Sequence, residues 1–268
     1  MSGPAQQRSS EWHEQWSMFH DRAEFLFHEW IAPVTLEDFR GISVLEGGCG
    51  GGQHTALLST VASSVTAVDL NTTDLAAGFN HDAGNVEFVA ADLGTMDLGR
   101  RFDAVLSIGV IHHTDDPDRT FDTLYRHLKP GGRMVIWTYS SEGNALVRLV
   151  VEPIRKLFLA RRSRRFLLGL SKAITAALYP VTHTIYRLPF LSFLPYFEYF
   201  ANFRRLSFER NVLNVFDKLN APQTRFTNRA TAERWFSPER FEPGTISIRR
   251  YAGVSYSLSG IKRSTAAG

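Results

Sequence analysis

A strand that runs straight into a glycine-rich turn constrains this chain more than any other feature. Val44-Leu45-Glu46-Gly47-Gly48-Cys49-Gly50-Gly51-Gly52 begins apolar, meets an acid, then loses its side chains, and a helical segment follows from Gln53 to Val61. Glycine is needed where bare backbone must approach a ligand or adopt a positive φ. At the carboxyl end of a parallel strand, that requirement describes a ligand cradle. Taken alone, the run also fits a flexible turn.

The segments that follow alternate. Ile42–Glu46, Val65–Asp69, Val86–Ala90, Asp103–Ile108 and Arg133–Tyr139 read as short strands, with a helix over Asp118–Leu128 and a turn at Lys129-Pro130-Gly131-Gly132. Strands alternating with helices predict a doubly wound α/β sheet, Rossmann-like, with helices on both faces. Two acids fall at strand ends. Asp69, about 20 residues past the glycines, is placed to accept both hydroxyls of a ribose. Asp92 follows the third strand, where a carboxylate can accept from an adenine amino group. A nicotinamide-dependent oxidoreductase would share Asp69, but its fingerprint is G-x-G-x-x-G, whereas this turn reads G-x-G-x-G after Glu46.

These segments together resemble the class I S-adenosylmethionine-dependent methyltransferases. VLEGGCGGG is similar to the first family motif, VTAVDLN to the second, VAADL to the third and FDAVLSIGVIHHTDDP to the fourth; LKPGGRMVIWTY is similar to the turn and strand after them. Gly47 departs from the first motif, where an apolar residue is commoner. The resemblance implies S-adenosyl-L-methionine as cofactor. It implies contacts at Glu46, Gly48, Gly50, Asp69 and Asp92, with further contacts at Leu70, Leu93 and Ser107; Gly52, in the same turn, leaves room for the ligand over the end of the first strand. The residue pattern after Gly143 adds a helical insertion after the fifth strand of this methyltransferase sheet. The expected activity is O-methylation of a sugar, a lipid-linked intermediate or a small metabolite. The alternatives are an NAD-dependent oxidoreductase and a catalytically silent adenosylmethionine-binding partner protein.

His112 and His113 follow the fourth strand, where the acceptor pocket of such enzymes opens. Either could take the acceptor's proton as general base; either could instead cap the strand end and order the Thr114–Asp116 loop. Residues 11–31 read as a helix ended by Pro33, with Trp12, Trp16 and Phe19 on one face. Residues 1–40 are therefore expected to form a lid, or simply core. His13, His20 and His28 show no acid pairing, and no metal site is expected.

Net charge divides the chain. Residues 1–147 carry −11, residues 148–210 carry +9, and the rest +5. Residues 144–217 are apolar, basic and helical in pattern, broken into short pieces by Pro180, Pro189 and Pro195. The expected division is therefore a lid at 1–40, a core at 41–143 and 218–268, and a helical insertion at 144–217 covering the acceptor side. Basic residues beside aromatic faces at 148–210 suit peripheral contact with an anionic membrane. They suit equally an anionic, partly apolar acceptor, or a cap whose arginines stay in water; nucleic acid has no recognised module here. Asn220, Thr224 and Arg229 could line the acceptor pocket or form a loop and helix cap, with Asn228 as the cap. The single Cys49 excludes an internal disulfide, and the opening residues MSGPAQQRSSEWHEQW carry no signal-peptide pattern, so the cytoplasm is expected, with contact at the inner membrane surface.

Overall fold

The computed structural model describes residues 13, 14, 16, 17, 24–159, 162–221 and 223–264. Its frame is a seven-stranded sheet in the order β3-β2-β1-β4-β5-β7-β6. Strands β1 (Ser43–Gly47), β2 (Ser64–Asp69), β3 (Val86–Ala90), β4 (Phe102–Ile108) and β5 (Leu128–Tyr139) are parallel. β7 (Ser255–Ile261) is antiparallel to both β5 and β6 (Ser247–Tyr251).

Period-two alternation sorts the side chains. Leu45, Val105, Met134 and Ile136 enter one core with Phe121, Leu124 and Trp235; Val44, Ala104, Leu106, Val135 and Trp137 enter the other with Phe27, Ile31 and Leu58. Helices α1 (Glu24–Ile31) and α2 (Gln53–Ser59) therefore cover one face. α4 (Pro117–Arg126) and α8 (Arg229–Trp235) cover the other. Both faces being covered explains why β4 is buried almost without interruption. α4 begins where Asp116 accepts from the Arg119 amide with Pro117 in the first position, and α8 where Asn228 accepts from the Thr231 amide.

Two sequence expectations change, and one helix is added. α3 (Thr73–Phe79) connects β2 and β3 without an apolar period that announces it; only Ala76 is buried. The Lys129–Gly132 turn is instead part of β5, as an irregularity between the Phe102–Leu128 and Ala104–Arg133 pairs. Pro180 does not break its segment: α5 (Arg164–Thr184) runs through it. The missing amide forfeits one helix bond near the end of the helix, and the Thr184 hydroxyl donates to the Pro180 carbonyl (2.6 Å).

The segment after β5 is helical, as expected. Its first stretch alternates π turns, Val147–Val151 and Arg155–Leu159, around Glu152–Ile154. After α5 come α6 (Phe197–Phe203) and α7 (Phe208–Asn220). α7 carries through residue 217, so the expected boundary there falls inside a helix. Leu159, Leu167, Phe216 and Leu219 give these helices a small core of their own. Among the described residues no helix is long and apolar enough to cross a membrane.

Candidate functional site

A cavity of about 380 Å³ opens over the carboxyl ends of β1, β2, β4 and β5. One end is made of backbone. Leaving β1, the Gly48 and Cys49 amides both donate to the Val68 carbonyl (2.7 and 3.1 Å), which turns the chain sharply. Gly48 takes φ +86°, and a Cβ there would stand 2.3 Å from Val110. The position admits no side chain. Asp69 braces the turn: one carboxylate oxygen accepts from the Gly50 amide (3.0 Å), the other from the Asn71 amide (3.3 Å). Asp92 accepts from the Gly94 amide (2.7 Å). Gly48, Gly50, Asp69, Leu70, Asp92 and Leu93 all line the cavity.

Glu46, Gly52, Ser107 and His112, also expected to serve the site, do not line it. Glu46 lies beneath the glycine loop, accepting from the Thr55 hydroxyl, with His54 at 4.0 Å. Burial, opposed by the Thr55 hydrogen bond, pushes its carboxyl up to about 7. His54, which does line the cavity, is pushed down to about 3 by burial and by Arg210. Gly52 precedes α2 and accepts from Asn80 (3.0 Å). The Ser107 hydroxyl is buried within β4 without a partner.

The two histidines part company. The short turn Ile111–His113 points the His112 ring into the interior against Thr138 (3.2 Å) and the Tyr139 ring (4.3 Å). The Tyr139 amide donates to its Nδ1 (3.4 Å), which places the ring proton on Nε2. Burial holds this imidazole well below its usual range, so it is neutral. His113 lines the cavity. Its Nδ1 meets the Gln223 carbonyl (2.9 Å), and since a carbonyl only accepts, Nδ1 carries the proton and Nε2 the basic lone pair. Burial lowers its pKa, against the pull of Asp217.

The opposite wall comes largely from the insertion. On α7, Arg210, Leu213, Asn214 and Asp217 repeat at helical spacing and all face the cavity. The Tyr139 hydroxyl donates to Asp217 (3.2 Å). The Lys218 ammonium donates to the Tyr199 hydroxyl and the Asn214 carbonyl (both 3.2 Å) and stands over the Tyr199 ring at 5.1 Å. Burial works against its charge, but the Tyr199 and Tyr139 oxygens and Asp217 outweigh burial and keep it a cation. Sequence reasoning missed this wall, though the stripe on residues 210–217 carried the signal. Thr224 reaches a small crevice shared with Tyr139, Asp217 and Lys218. Asn220 and Arg229 lie outside both spaces; Arg229 pairs with Glu233 (2.6 Å).

Trp16, a described residue of the N-terminal segment, reaches the cavity. The Trp16 ring lies against Gly50, where a Cβ would stand 2.7 Å from it. Next to it His13 meets Asp74 on α3 (3.1 Å), and Glu14 pairs with Arg164 on α5. Trp12 and Phe19 lie outside the described residues. Trp30, on α1, lines the cavity beside Trp137, their rings 4.6 Å apart.

Residues 45–136 match the family model of the methyltransferase domain. That span runs from β1 into β5 and holds the glycine turn, Asp69, Asp92 and His113. Residues 45–136 are a class I S-adenosylmethionine-dependent methyltransferase domain. Part of the chain is similar to ubiquinone biosynthesis O-methyltransferases. The identity is 29% over 118 residues for that of Chelativorans sp. (42% of this chain, 47% of the relative). It is 30% over 124 residues for that of Pseudomonas fluorescens strain Pf0-1 (44% and 53%). The chain thus spans about half the length of these curated relatives. The whole fold is similar to magnesium protoporphyrin IX methyltransferase from Synechocystis, solved with bound SAH, at 12% identity and a TM-score of 0.50 over 98% of this chain and 89% of that one. The matched methyltransferase domain ends before Tyr139, so Tyr139, Tyr199, Asp217 and Lys218 are additions from outside it.

Proposed function

We propose that this protein transfers a methyl group from S-adenosylmethionine to a hydroxyl oxygen of an acceptor. The observation that carries the reading is a single cavity with a backbone cradle at one end and a titratable, aromatic wall at the other. The donor set at the cradle fits the cofactor. A side-chain-free turn admits close approach, Asp69 offers a carboxylate to ribose hydroxyls, and Asp92 offers one to an adenine amino group. When bound, the cofactor supplies a methyl group on a sulfonium, already a strong electrophile.

The chain's own residues then have positioning, exclusion and proton work to do. Trp16, Trp30 and Trp137 keep water from the cradle and present π faces to a cation. His113 Nε2 takes the acceptor's proton, held in that tautomer by the Gln223 carbonyl. Lys218 offers a fixed cation to an acceptor that carries, or develops, negative charge. Oxygen as the acceptor atom is supported by the relatives' names, which specify O-methyltransferases. Incubating the protein with S-adenosylmethionine and matched acceptors tests the reading through adenosylhomocysteine release. Release with phenols or sugars bearing a carboxylate or phosphate, exceeding that with neutral analogues, is expected. Release only with amines would overturn the assignment to oxygen.

A further inference from the structure

Residues 146–159 and 162–166 carry an apolar surface that neither the sheet nor the cavity uses. The inner side of the Val147–Leu159 stretch is accounted for. Val151 and Leu159 pack with Leu167, Phe216 and Leu219, and Arg155 donates to the Ala221 carbonyl and pairs with Glu152 (2.7 Å). The outer side is not. Leu149 is 75% exposed, Leu157 76% and Phe158 65%, with Leu146, Ile154 and Phe166 also in the open. Single exposed apolar residues need no explanation, but a concentration within 21 residues does.

Charge identifies what covers this face. Arg148, Lys156, Arg162 and Arg165 are exposed among these side chains. Glu152 is the one acid in the stretch, and it is engaged by Arg155 and Lys156 (3.7 Å). A second copy of the chain, related by a two-fold axis, would bring like charges together. Nucleic acid would use the bases but has no stacking role for Leu149, Ile154 or Leu157. An anionic bilayer uses both: phosphate meets the bases, and the acyl boundary takes the aliphatic side chains. The basic run at 161–165 divides accordingly. Arg164 is turned to Glu14 of the N-terminal segment, and Arg161 lies outside the described residues.

We propose that residues 146–159 and 162–166 dock this protein on an anionic membrane surface, with Leu149, Leu157 and Phe158 entering the interface. Across the same helical stretch, Val147 and Glu152 line the crevice shared with Tyr139, Asp217 and Lys218. Docking would therefore set the bilayer about one helix diameter, ~10 Å, from that end of the cavity.

Co-sedimentation of the full chain with vesicles tests this. The protein should pellet with phosphatidylcholine vesicles containing phosphatidylglycerol and not with phosphatidylcholine alone, and binding should fall with added salt. The triple variant Leu149→Ser/Leu157→Ser/Phe158→Ser should lose more than about tenfold in vesicle affinity. A separate variant, Arg148→Ser/Lys156→Ser/Arg162→Ser/Arg165→Ser, should lose about fivefold per base removed. Both sets are exposed, so melting temperature should be kept. Wild-type protein remaining in the supernatant at low salt would overturn the proposal. So would full binding by the triple variant, or a wild-type dimer that the triple variant dissolves, which would assign the face to a second copy.

Discussion

The two ends of the cavity are built in opposite ways. The cradle end is backbone and short carboxylates, drawn from residues 48–93 at the ends of three neighbouring strands. The acceptor end is long side chains: His113, Tyr139, Tyr199, Asp217 and Lys218 come from four separated stretches, and their charges are carried by one another. A site made of backbone is fixed by strand order and tolerates little change. A site made of side chains can be refitted residue by residue on the same frame, which is how one fold serves many acceptors.

Substitutions can break this contrast, beginning with the largest expected effect. His113→Ala should lower turnover by about 10²–10⁴ while leaving adenosylmethionine affinity intact. His112→Ala should act instead on stability, because that ring is core packing. Equal kinetic losses in the two, measured as kcat beside calorimetric affinity, would erase the distinction between them.

Glu46 sharpens the comparison from the cradle side. Its folded-state pKa of about 7 stands above the ordinary 4.5. The stability this shift contributes is fully present below pH 4.5 and is lost as pH rises through 7, a change of about 3 kcal/mol at most. Glu46→Gln cannot titrate and should not show that loss. Denaturant melts from pH 4.5 to 8 should therefore show wild type falling relative to the variant; parallel curves would place Glu46 in a solvated setting.

The smallest effect is expected at the N-terminal segment. Glu14→Gln removes a half-exposed partner of Arg164. Cofactor affinity should drop by about 0.2–1 kcal/mol at low salt and recover toward wild type as salt screens the pair. A loss that is insensitive to salt would mean the contact is steric.

The same contrast decides what could be read beforehand. Glycine spacing and acids at strand ends are local: Gly48, Gly50, Asp69 and Asp92 each lie within a few residues of a strand's end, and all four line the cavity. Glu46 and Gly52 do not line the cavity, because spacing says where a residue falls on a turn, not which side of the turn meets the cavity. The stripe on residues 210–217 marks an inward face of α7, but that this face meets Tyr139 at the end of β5 through Asp217 is a tertiary fact. His112 and His113 were indistinguishable in sequence; only a short turn that directs one ring inward and the other outward separates them. Pro180 misled because a proline near a helix end costs one hydrogen bond rather than the helix.

Binding at the cradle is the most direct test, by titration calorimetry of wild type and Asp69→Ala with adenosylmethionine, adenosylhomocysteine and NAD. Wild type should bind the two adenosyl ligands and not NAD. Asp69→Ala should weaken both by about 1.5–3 kcal/mol, the range for hydrogen bonds to a charged group. Unchanged affinity in Asp69→Ala, or preferential binding of NAD, would contradict an adenosylmethionine cradle at this strand end.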